Sequence, residues 1–290
     1  MIPGSFDYHA PETLAEALDL LGKHPDDAKV LSGGQSLLPL LKLRLGAAAH
    51  LVDIGKIPDL EYIREDGGFL KIGGRTREST LEHSPLVRRK YPLLADTAEV
   101  IADPLVRNLA TIGGNLAHGD PANDHPATML AYGAEIVATG KTGTRTIPIG
   151  KFFTSLFETA LAPDEILTEI RIPVPPPRSG GAYVKLERKV GDFATAASAA
   201  QVTLGPGGEV ERVGIGLTNA GPTPIQATAA EQFLRGKKPD AGAIAEAARL
   251  AASAAAPAAD RRGSVEYKTE MARVLTGRAL AKAIARAQGA

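Results

Sequence analysis

Residues 111–127 read T-I-G-G-N-L-A-H-G-D-P-A-N-D-H-P-A: a glycine pair between a hydroxyl and a carboxamide, then a loop with two carboxylates. Adjacent glycines let a backbone turn sharply and approach a ligand closely, because they carry no Cβ. Their N–H groups can converge on phosphate oxygens. A similar stretch, S-G-G-Q-S at residues 32–36, lies upstream. Two such loops predict a ligand with a pyrophosphate held from two sides.

Each loop taken alone is a weak signal. A bare glycine pair is more often an ordinary turn, and neither loop matches G-x-G-x-x-G or the Walker A pattern. The context favours anion binding at the first loop, because a short apolar strand precedes it at 28–31 and a helix is predicted after it at 37–45. That order points backbone N–H groups and a helix N-terminus at an anion.

The remaining pattern predicts a chain of mixed helices and strands. A helix over 8–22 is predicted from a capping box at Thr13 and Glu16, with Gly22 as its C-cap. An extended proline-rich segment at 173–181 separates this part from a meander of three strands and two final helices. The other predicted elements are strands 51–54, 60–65, 69–72, 135–139, 182–189, 196–204 and 210–218 and helices 84–102, 129–132, 240–256 and 264–288.

Composition excludes several classes of function. The 290 residues carry 33 Lys and Arg against 33 Asp and Glu, so charge gives no argument for nucleic acid or a charged membrane surface. No apolar run reaches the ~18 residues of a spanning helix and no export signal opens the chain, so a cytoplasmic location is expected. With no cysteine, the chain has no disulfide and no Cys-ligated cluster. Any redox chemistry must therefore use an organic cofactor.

Polar residues near the second loop allow other interpretations. His118, Asp120, Asp124 and His125 could form a metal cluster, although their spacing fits no helix-borne ligand pair. A Ser36–His118–Asp124 triad lacks a G-x-S-x-G elbow. Lys185 lies on a predicted strand, where a solvent-facing lysine is the ordinary alternative. Phe193 is either a core residue or a cover for a planar ring.

The two loops resemble the FAD-binding loops of the flavin subunits of molybdenum hydroxylases. The first match is S-G-G-Q-S-L-L-P-L-L-K-L-R-L, and the second is T-I-G-G-N-L-A-H-G-D-P-A-N-D. The opening M-I-P-G-S-F-D-Y-H, the stretch K-L-E-R-K-V-G-D-F-A-T-A-A and I-G-L-T-N-A are most similar to medium subunits of aerobic carbon monoxide dehydrogenases. The similarity covers essentially the whole chain.

The resemblance implies which residues hold FAD. The two loops would wrap the pyrophosphate, Ile101 and Asp124 would contact the flavin or its adenosine, and Phe193 would lie beside the isoalloxazine. Two departures are Phe193 in place of Tyr and Ser32 in place of Ala. The implied cofactor-binding residues are Val30, Leu31, Ser32, Gly33, Gly34, Gln35, Ser36, Leu37, Ile101, Thr111, Ile112, Gly113, Gly114, Asn115, Asp124, Leu167, Lys185 and Phe193.

The implied fold is α+β. A two-part FAD-binding domain at 1–175, divided into 1–55 and 56–175, precedes a three-stranded antiparallel sheet with a helical bundle at 176–290. The implied function is electron transfer to a quinone or other acceptor. The implied partners are a large subunit with the molybdenum cofactor and a small subunit with [2Fe–2S] clusters, as a dimer of heterotrimers, with possible peripheral association at the inner membrane.

Three alternatives to a carbon monoxide dehydrogenase subunit stay open. The chain could serve another molybdenum hydroxylase, acting on aldehydes, xanthine or N-heterocycles. A stand-alone flavin oxidoreductase would need its own substrate pocket with a positioned acid or base. A non-catalytic nucleotide-binding module would lack bound flavin.

Overall fold

The computed structural model describes residues 2–289, which form fourteen strands in four sheets together with eleven α-helices. The helices are α1 (Leu14–Lys23), α2 (Leu37–Lys42), α3 (Glu78–His83), α4 (Pro85–Lys90), α5 (Pro92–Glu99), α6 (Pro104–Arg107), α7 (Ile112–Ala117), α8 (Asp124–Tyr132), α9 (Thr228–Leu234), α10 (Ala241–Ser253) and α11 (Val265–Ala287). The strands are β1 (Asp7–His9), β2 (Ala28–Leu31), β3 (His50–Asp53), β4 (Ile63–Asp66), β5 (Phe69–Gly73), β6 (Glu135–Gly140), β7 (Gly143–Pro148), β8 (Phe153–Ser155), β9 (Glu158–Thr159), β10 (Ile166–Pro173), β11 (Ser179–Leu186), β12 (Ala196–Leu204), β13 (Val210–Thr218) and β14 (Ile225–Gln226).

The first part of the chain is a small parallel sheet in the order β1-β3-β2. Helix α1 covers it and buries Leu18 and Leu21 in the same cluster as Val52. Thr13 caps this helix as predicted, accepting a hydrogen bond from the Glu16 N–H at 3.2 Å. The predicted helix start at residue 8 was wrong, because the backbone there pairs with β3 as a strand. The predicted C-cap was wrong as well: the helix continues through residue 23.

The second part is a five-stranded antiparallel sheet in the order β4-β5-β10-β6-β7. The predicted hairpin is present as β4 and β5, and Gly67 and Gly68 supply its positive φ values of 58° and 83°. Helices α5, α7 and α8 contribute buried side chains to the core beneath this sheet. Helix α8 begins at Asp124, five residues before the predicted start at residue 129, so the second carboxylate of the quoted stretch belongs to a helix and not to a loop.

The third part is an antiparallel sheet of the three predicted strands β11, β12 and β13, extended by the two-residue β14. On one face α11 covers β11 and β12 and α9 packs against β13, with α10 packed on these two helices; α5 and α8 of the preceding part pack on the other face. Gly214 and Gly216 allow the closest contact, because a Cβ on either would collide with a carbonyl oxygen of α8. The fold class predicted for this region is therefore confirmed.

No helix among residues 2–289 combines the length and apolar character that a membrane crossing requires.

Candidate functional site

The two glycine loops, separated by 79 positions, touch each other. Ser32 Oγ lies 2.9 Å from Thr111 Oγ1. Gly33 packs so closely on the backbone before the second loop that a Cβ there would collide with the carbonyl oxygen of Leu109. The absence of a side chain at this position therefore lets one loop lie directly on the other. The sequence predicted two loops gripping one ligand, and the structure brings them together.

The first loop carries the free donors. It connects β2 to α2, and Gly34 adopts a φ of +73° that favours glycine. Within residues 2–289 the backbone N–H groups from Gly33 through Ser36 have no hydrogen-bond acceptor. All these residues are half-buried, so the donors lie at an accessible surface rather than in the core. Such a run of backbone donors suits an anion.

The second loop is different, because its N–H groups are used inside the protein. Thr111 caps α7 and accepts from the Gly114 N–H at 3.2 Å. Gly113 donates to the carbonyl oxygen of Gly74 at 3.0 Å, and a Cβ on Gly113 would collide with that oxygen. The interpretation that both N–H groups converge on a phosphate is therefore wrong. The loop instead presents a surface without side chains next to the hydroxyl of Ser32.

Asn115 remains available to a ligand. Its Oδ1 is buried and has no hydrogen-bond partner among the described residues. Its backbone carbonyl accepts a hydrogen bond from Asn123 Nδ2 at 2.8 Å, which fixes the helix end to the following loop. An orphaned amide oxygen beside two contacting glycine loops fits a ligand that supplies a donor there. Together with the free N–H groups of the first loop, these donors and acceptors fit the pyrophosphate and neighbouring polar groups of FAD.

A buried ion pair joins Asp124, the first residue of α8, to Lys185 of β11. Lys185 Nζ is 2.8 Å from Asp124 Oδ2 and donates to the Val100 carbonyl at 3.0 Å. Tyr183 donates its hydroxyl proton to Asp124 Oδ1 at 2.6 Å. Burial raises the pKa of the Asp124 carboxyl above its ordinary value, while Lys185 and Tyr183 oppose that shift. Lys185 is thus not the solvent-facing lysine of the alternative interpretation: its side chain is 3% exposed.

Ile101 and Phe193 lie on two segments that pack together. Ile101 is buried and its carbonyl accepts from Arg107 Nη1 at 2.9 Å. A Cβ on Gly191 would approach the Ala102 carbonyl to 3.0 Å, so the glycine lets the two segments touch. Phe193 is 46% exposed. An aromatic ring left half in solvent is not a core residue, which favours the interpretation that it covers a ligand.

Two predicted contact residues are enclosed by their own fold. Leu167 is buried, and its carbonyl oxygen packs against Gly74, the residue that accepts from Gly113. The Ile112 side chain is fully buried and its N–H donates to Thr76 at 3.0 Å. Neither side chain is presented to solvent. The FAD contacts implied for these two, for Val30 and Leu31 in β2 and for the other residues of the set stay predictions.

The metal and triad interpretations find no support in the geometry. Within residues 2–289 no three His, Asp or Glu side chains form a group that could hold a metal ion. His125 instead pairs with Glu78 at 2.7 Å, with both side chains fully buried. Both oxygens of Asp124 are engaged by Tyr183 and Lys185, so the carboxylate is not aimed at His118.

Four polar residues near the buried ion pair and the glycine loops were not predicted from the sequence. Tyr183 donates to Asp124 and shares a hydrogen bond of 2.9 Å with Thr218. Arg75 and Arg77 line a cleft with Ser32. The R-T-R sequence was a signal for the arginines, since two like charges at i and i+2 in a strand-like segment lie on the same side.

Comparison with known proteins gives the family. A model described as the FAD binding domain in molybdopterin dehydrogenase matches residues 4–175, and one described as the CO dehydrogenase flavoprotein C-terminal domain matches residues 181–283. The carbon monoxide dehydrogenase medium chain of Afipia carboxidovorans is 46% identical, covering 99% of this chain and all of the relative. That of Hydrogenophaga pseudoflava is 46% identical, with 99% of each chain covered.

A solved structure agrees with these sequence matches. The carbon monoxide dehydrogenase of Hydrogenophaga pseudoflava lacking the Mo-pyranopterin moiety contains a chain with a TM-score of 0.96 and 48% identity, covering 99% of both chains. Loops, domains and relatives thus agree along the whole length. The chain belongs to the family of molybdopterin dehydrogenase chains that bind FAD and carry the CO dehydrogenase flavoprotein C-terminal domain.

Proposed function

We propose that this chain is the FAD-binding electron-transfer subunit of an aerobic molybdenum-containing carbon monoxide dehydrogenase. It receives electrons from the [2Fe–2S] clusters of a small partner subunit and delivers them to a quinone or other acceptor. A large partner subunit carries the molybdenum cofactor and oxidises the substrate. The complex is a dimer of heterotrimers in the cytoplasm, associated peripherally with the inner membrane.

One observation carries the proposal: the two glycine loops meet at Ser32 and Thr111, with free backbone donors on one side and a surface without side chains on the other. That arrangement supports the binding of a pyrophosphate-bearing cofactor. FAD, when bound, supplies the redox chemistry. The similarity to carbon monoxide dehydrogenase medium chains over the whole length supports the choice of complex.

The residues of this chain would bind and shield the cofactor. The first loop binds the pyrophosphate through its N–H groups, and Asn115 accepts from a polar group of the ligand. Asp124 and the Val100 carbonyl hold the Lys185 ammonium group in place. Phe193 excludes water from one face of the ring system. None of these roles is a catalytic step on carbon monoxide, which agrees with the lack of cysteine for cluster ligation.

Reduction of the isolated, FAD-loaded chain tests the proposed electron transfer through this subunit. We expect a strong chemical reductant to bleach the flavin and a quinone to reoxidise it. Anaerobic carbon monoxide should leave the chain yellow until the iron–sulfur and molybdenum subunits are added. Bleaching by carbon monoxide with this chain alone would contradict electron transfer from partner subunits and favour a self-sufficient flavoenzyme. Reduction of the complete complex by an aldehyde or a purine, but not by carbon monoxide, would assign it to another molybdenum hydroxylase.

A further inference from the structure

A cleft of about 100 Å³ opens beside the junction of the two glycine loops. Its walls hold two guanidinium groups and two hydroxyl groups, and no carboxylate lines it. The lining residues are Ser32, Gly33, Gly55, Arg75, Arg77, Leu109 and Thr111. Neither arginine belongs to the loops, yet both share the cavity with the hydroxyls of Ser32 and Thr111. The positive charge in this cleft therefore comes from a segment outside the glycine motifs.

Arg77 is placed here by the backbone. It forms an isolated antiparallel bridge with Thr111, the residue that caps α7 and contacts the first loop. Its side chain is exposed and forms no ion pair within residues 2–289. A guanidinium carries five N–H donors and stays charged at every physiological pH. Arg77 thus holds an uncompensated positive charge at the edge of the cleft.

An ion pair with Glu61 orients the guanidinium group of Arg75. Its Nη2 lies 2.7 Å from Glu61 Oε2, and its side chain is only 15% exposed. Its Nε is buried and has no hydrogen-bond partner among the described residues. The other nearby carboxylate, that of Asp53, is engaged by the Gly55 N–H at 2.8 Å and the Tyr8 hydroxyl at 2.6 Å. Among the residues that line the cleft, one arginine is therefore paired and one is free, and no lining carboxylate opposes the charge of the free one.

We propose that Arg75 and Arg77 form a phosphate subsite and that it takes the pyrophosphate of FAD. Forked guanidinium donors match the oxygens of a phosphoryl group, and the neighbouring hydroxyls and first-loop N–H groups add further donors. The cleft adjoins the surfaces already assigned to the cofactor through Ser32 and Thr111, so one ligand can reach both. This inference rests on the proposed function, because the subsite and the proposed function both require FAD to bind at the two glycine loops.

Titration of the full-length apo chain tests the subsite. We expect Arg77→Gln to weaken FAD binding by about 10- to 100-fold, as loss of a hydrogen bond to a charged group predicts. Riboflavin, which carries no phosphate, should bind both proteins equally. Arg77→Lys should restore part of the affinity, because it keeps the charge and loses the fork. Arg89→Gln, an exposed arginine on α4 outside the cleft, is the matched control and should bind FAD normally.

Arg75→Gln adds a second measurement. Because it leaves Glu61 without its partner, its thermal midpoint must be recorded beside its FAD affinity. Equal FAD affinity of Arg77→Gln and the unmodified chain would overturn the subsite.

ADP and inorganic phosphate separate the possible sources of the phosphoryl group. Competition of both with FAD, lost in Arg77→Gln, supports the pyrophosphate assignment. Phosphate bound at Arg77 together with FAD would overturn that assignment and indicate a separate anion.

Failure of the unmodified chain to bind FAD would contradict the proposed function. The anion subsite would then be judged by ADP alone. ADP binding that Arg77→Gln abolishes would support it, and no ADP binding would overturn it.

Discussion

His125 Nε2 lies 2.7 Å from Glu78 Oε2, and neither side chain has any exposed surface. Glu78 begins α3, directly after the arginine that bridges to the second loop, and its N–H donates to the Ala110 carbonyl at 2.9 Å. His125 lies in the first turn of α8, beside Asp124 of the buried ion pair. This one contact therefore ties the backbone below the second loop to the helix that supports Lys185.

Removal of His125 is expected to cost stability. His125→Ala leaves the Glu78 carboxyl buried without its partner, so the free energy of unfolding should fall by about 3 kcal/mol. Urea unfolding of the FAD-free chain measures this. His83→Ala, an exposed histidine on α3, is the control and should unfold as the unmodified chain does. An unchanged unfolding midpoint for His125→Ala would show that the pair contributes nothing to stability.

The adjacent glycines of the second loop are expected to respond differently to substitution. A Cβ on Gly113 collides with the Gly74 backbone, so Gly113→Ala should destabilise the fold by ~1–3 kcal/mol or more. A Cβ on Gly114 meets no backbone outside its own helix: its one close contact is Thr111 Oγ1 at 2.9 Å, a side-chain hydroxyl that must shift, and Ser32 Cβ lies at 4.0 Å. Gly114→Val should therefore fold and purify without flavin. Thermal melting and the flavin-to-protein absorbance ratio, measured on both variants, test these two expectations. Gly114→Val with its full complement of FAD would refute the placement of this loop against the pyrophosphate.

Phe193 is expected to affect the flavin without affecting the fold. Because the ring is half exposed, Phe193→Ala should change the free energy of unfolding by less than about 1 kcal/mol and leave FAD bound through the loops. The flavin spectrum and midpoint potential should both shift as one face becomes exposed to water. Val190→Ala, at 91% exposed in the same segment, serves as the control. If spectrum and potential stay unchanged in the assembled complex, Phe193 does not cover the ring.

Loss of Lys185 is expected to make stability depend on pH. Burial already raises the pKa of the Asp124 carboxyl, and Lys185→Met removes the cation that opposes the shift, so the pKa should rise further. A raised pKa in the folded state means that the neutral carboxyl is preferred there. The variant should therefore lose most stability at pH 7–8, by about 3–5 kcal/mol, and recover part of it as the pH falls towards ~4.

Urea unfolding of Lys185→Met between pH 5 and 8 tests this dependence. The double variant with Asp124→Asn has no carboxylate at position 124 and should lose the extra pH dependence. A Lys185→Met defect that is equal at every pH would mean that charge at Asp124 is not the cause.

The sequence predicted the local features and missed the long-range ones. The cap at Thr13, the turn at Gly67 and Gly68 and the two glycine loops depend on neighbours in the chain, so their patterns were visible. Strand β1 was missed, because three residues show no periodicity and their pairing partner lies 43 positions away. The Tyr183–Asp124 contact spans 59 positions, and nothing in the spacing of the two residues indicates it.

The site was predicted in the same uneven way. The expectation that the loops contact one ligand agrees with the meeting of Ser32 and Thr111. The expectation that the second loop offers free N–H donors failed, because its acceptor, Gly74, belongs to a segment without a recognisable motif. The division of the chain near residue 175 stays a prediction.

Glycines 214 and 216 press β13 against the backbone of α8, and Asp96 on α5 lies 2.8 Å from Arg286 on α11. These contacts join the two sides of the proline-rich segment across a wide surface. A protease that cuts between residues 173 and 179 should therefore leave two fragments that migrate together on a sizing column and melt in a single cooperative transition. A gene truncated at that segment should yield insoluble protein, since the exposed face of α8 would lack the sheet that covers it.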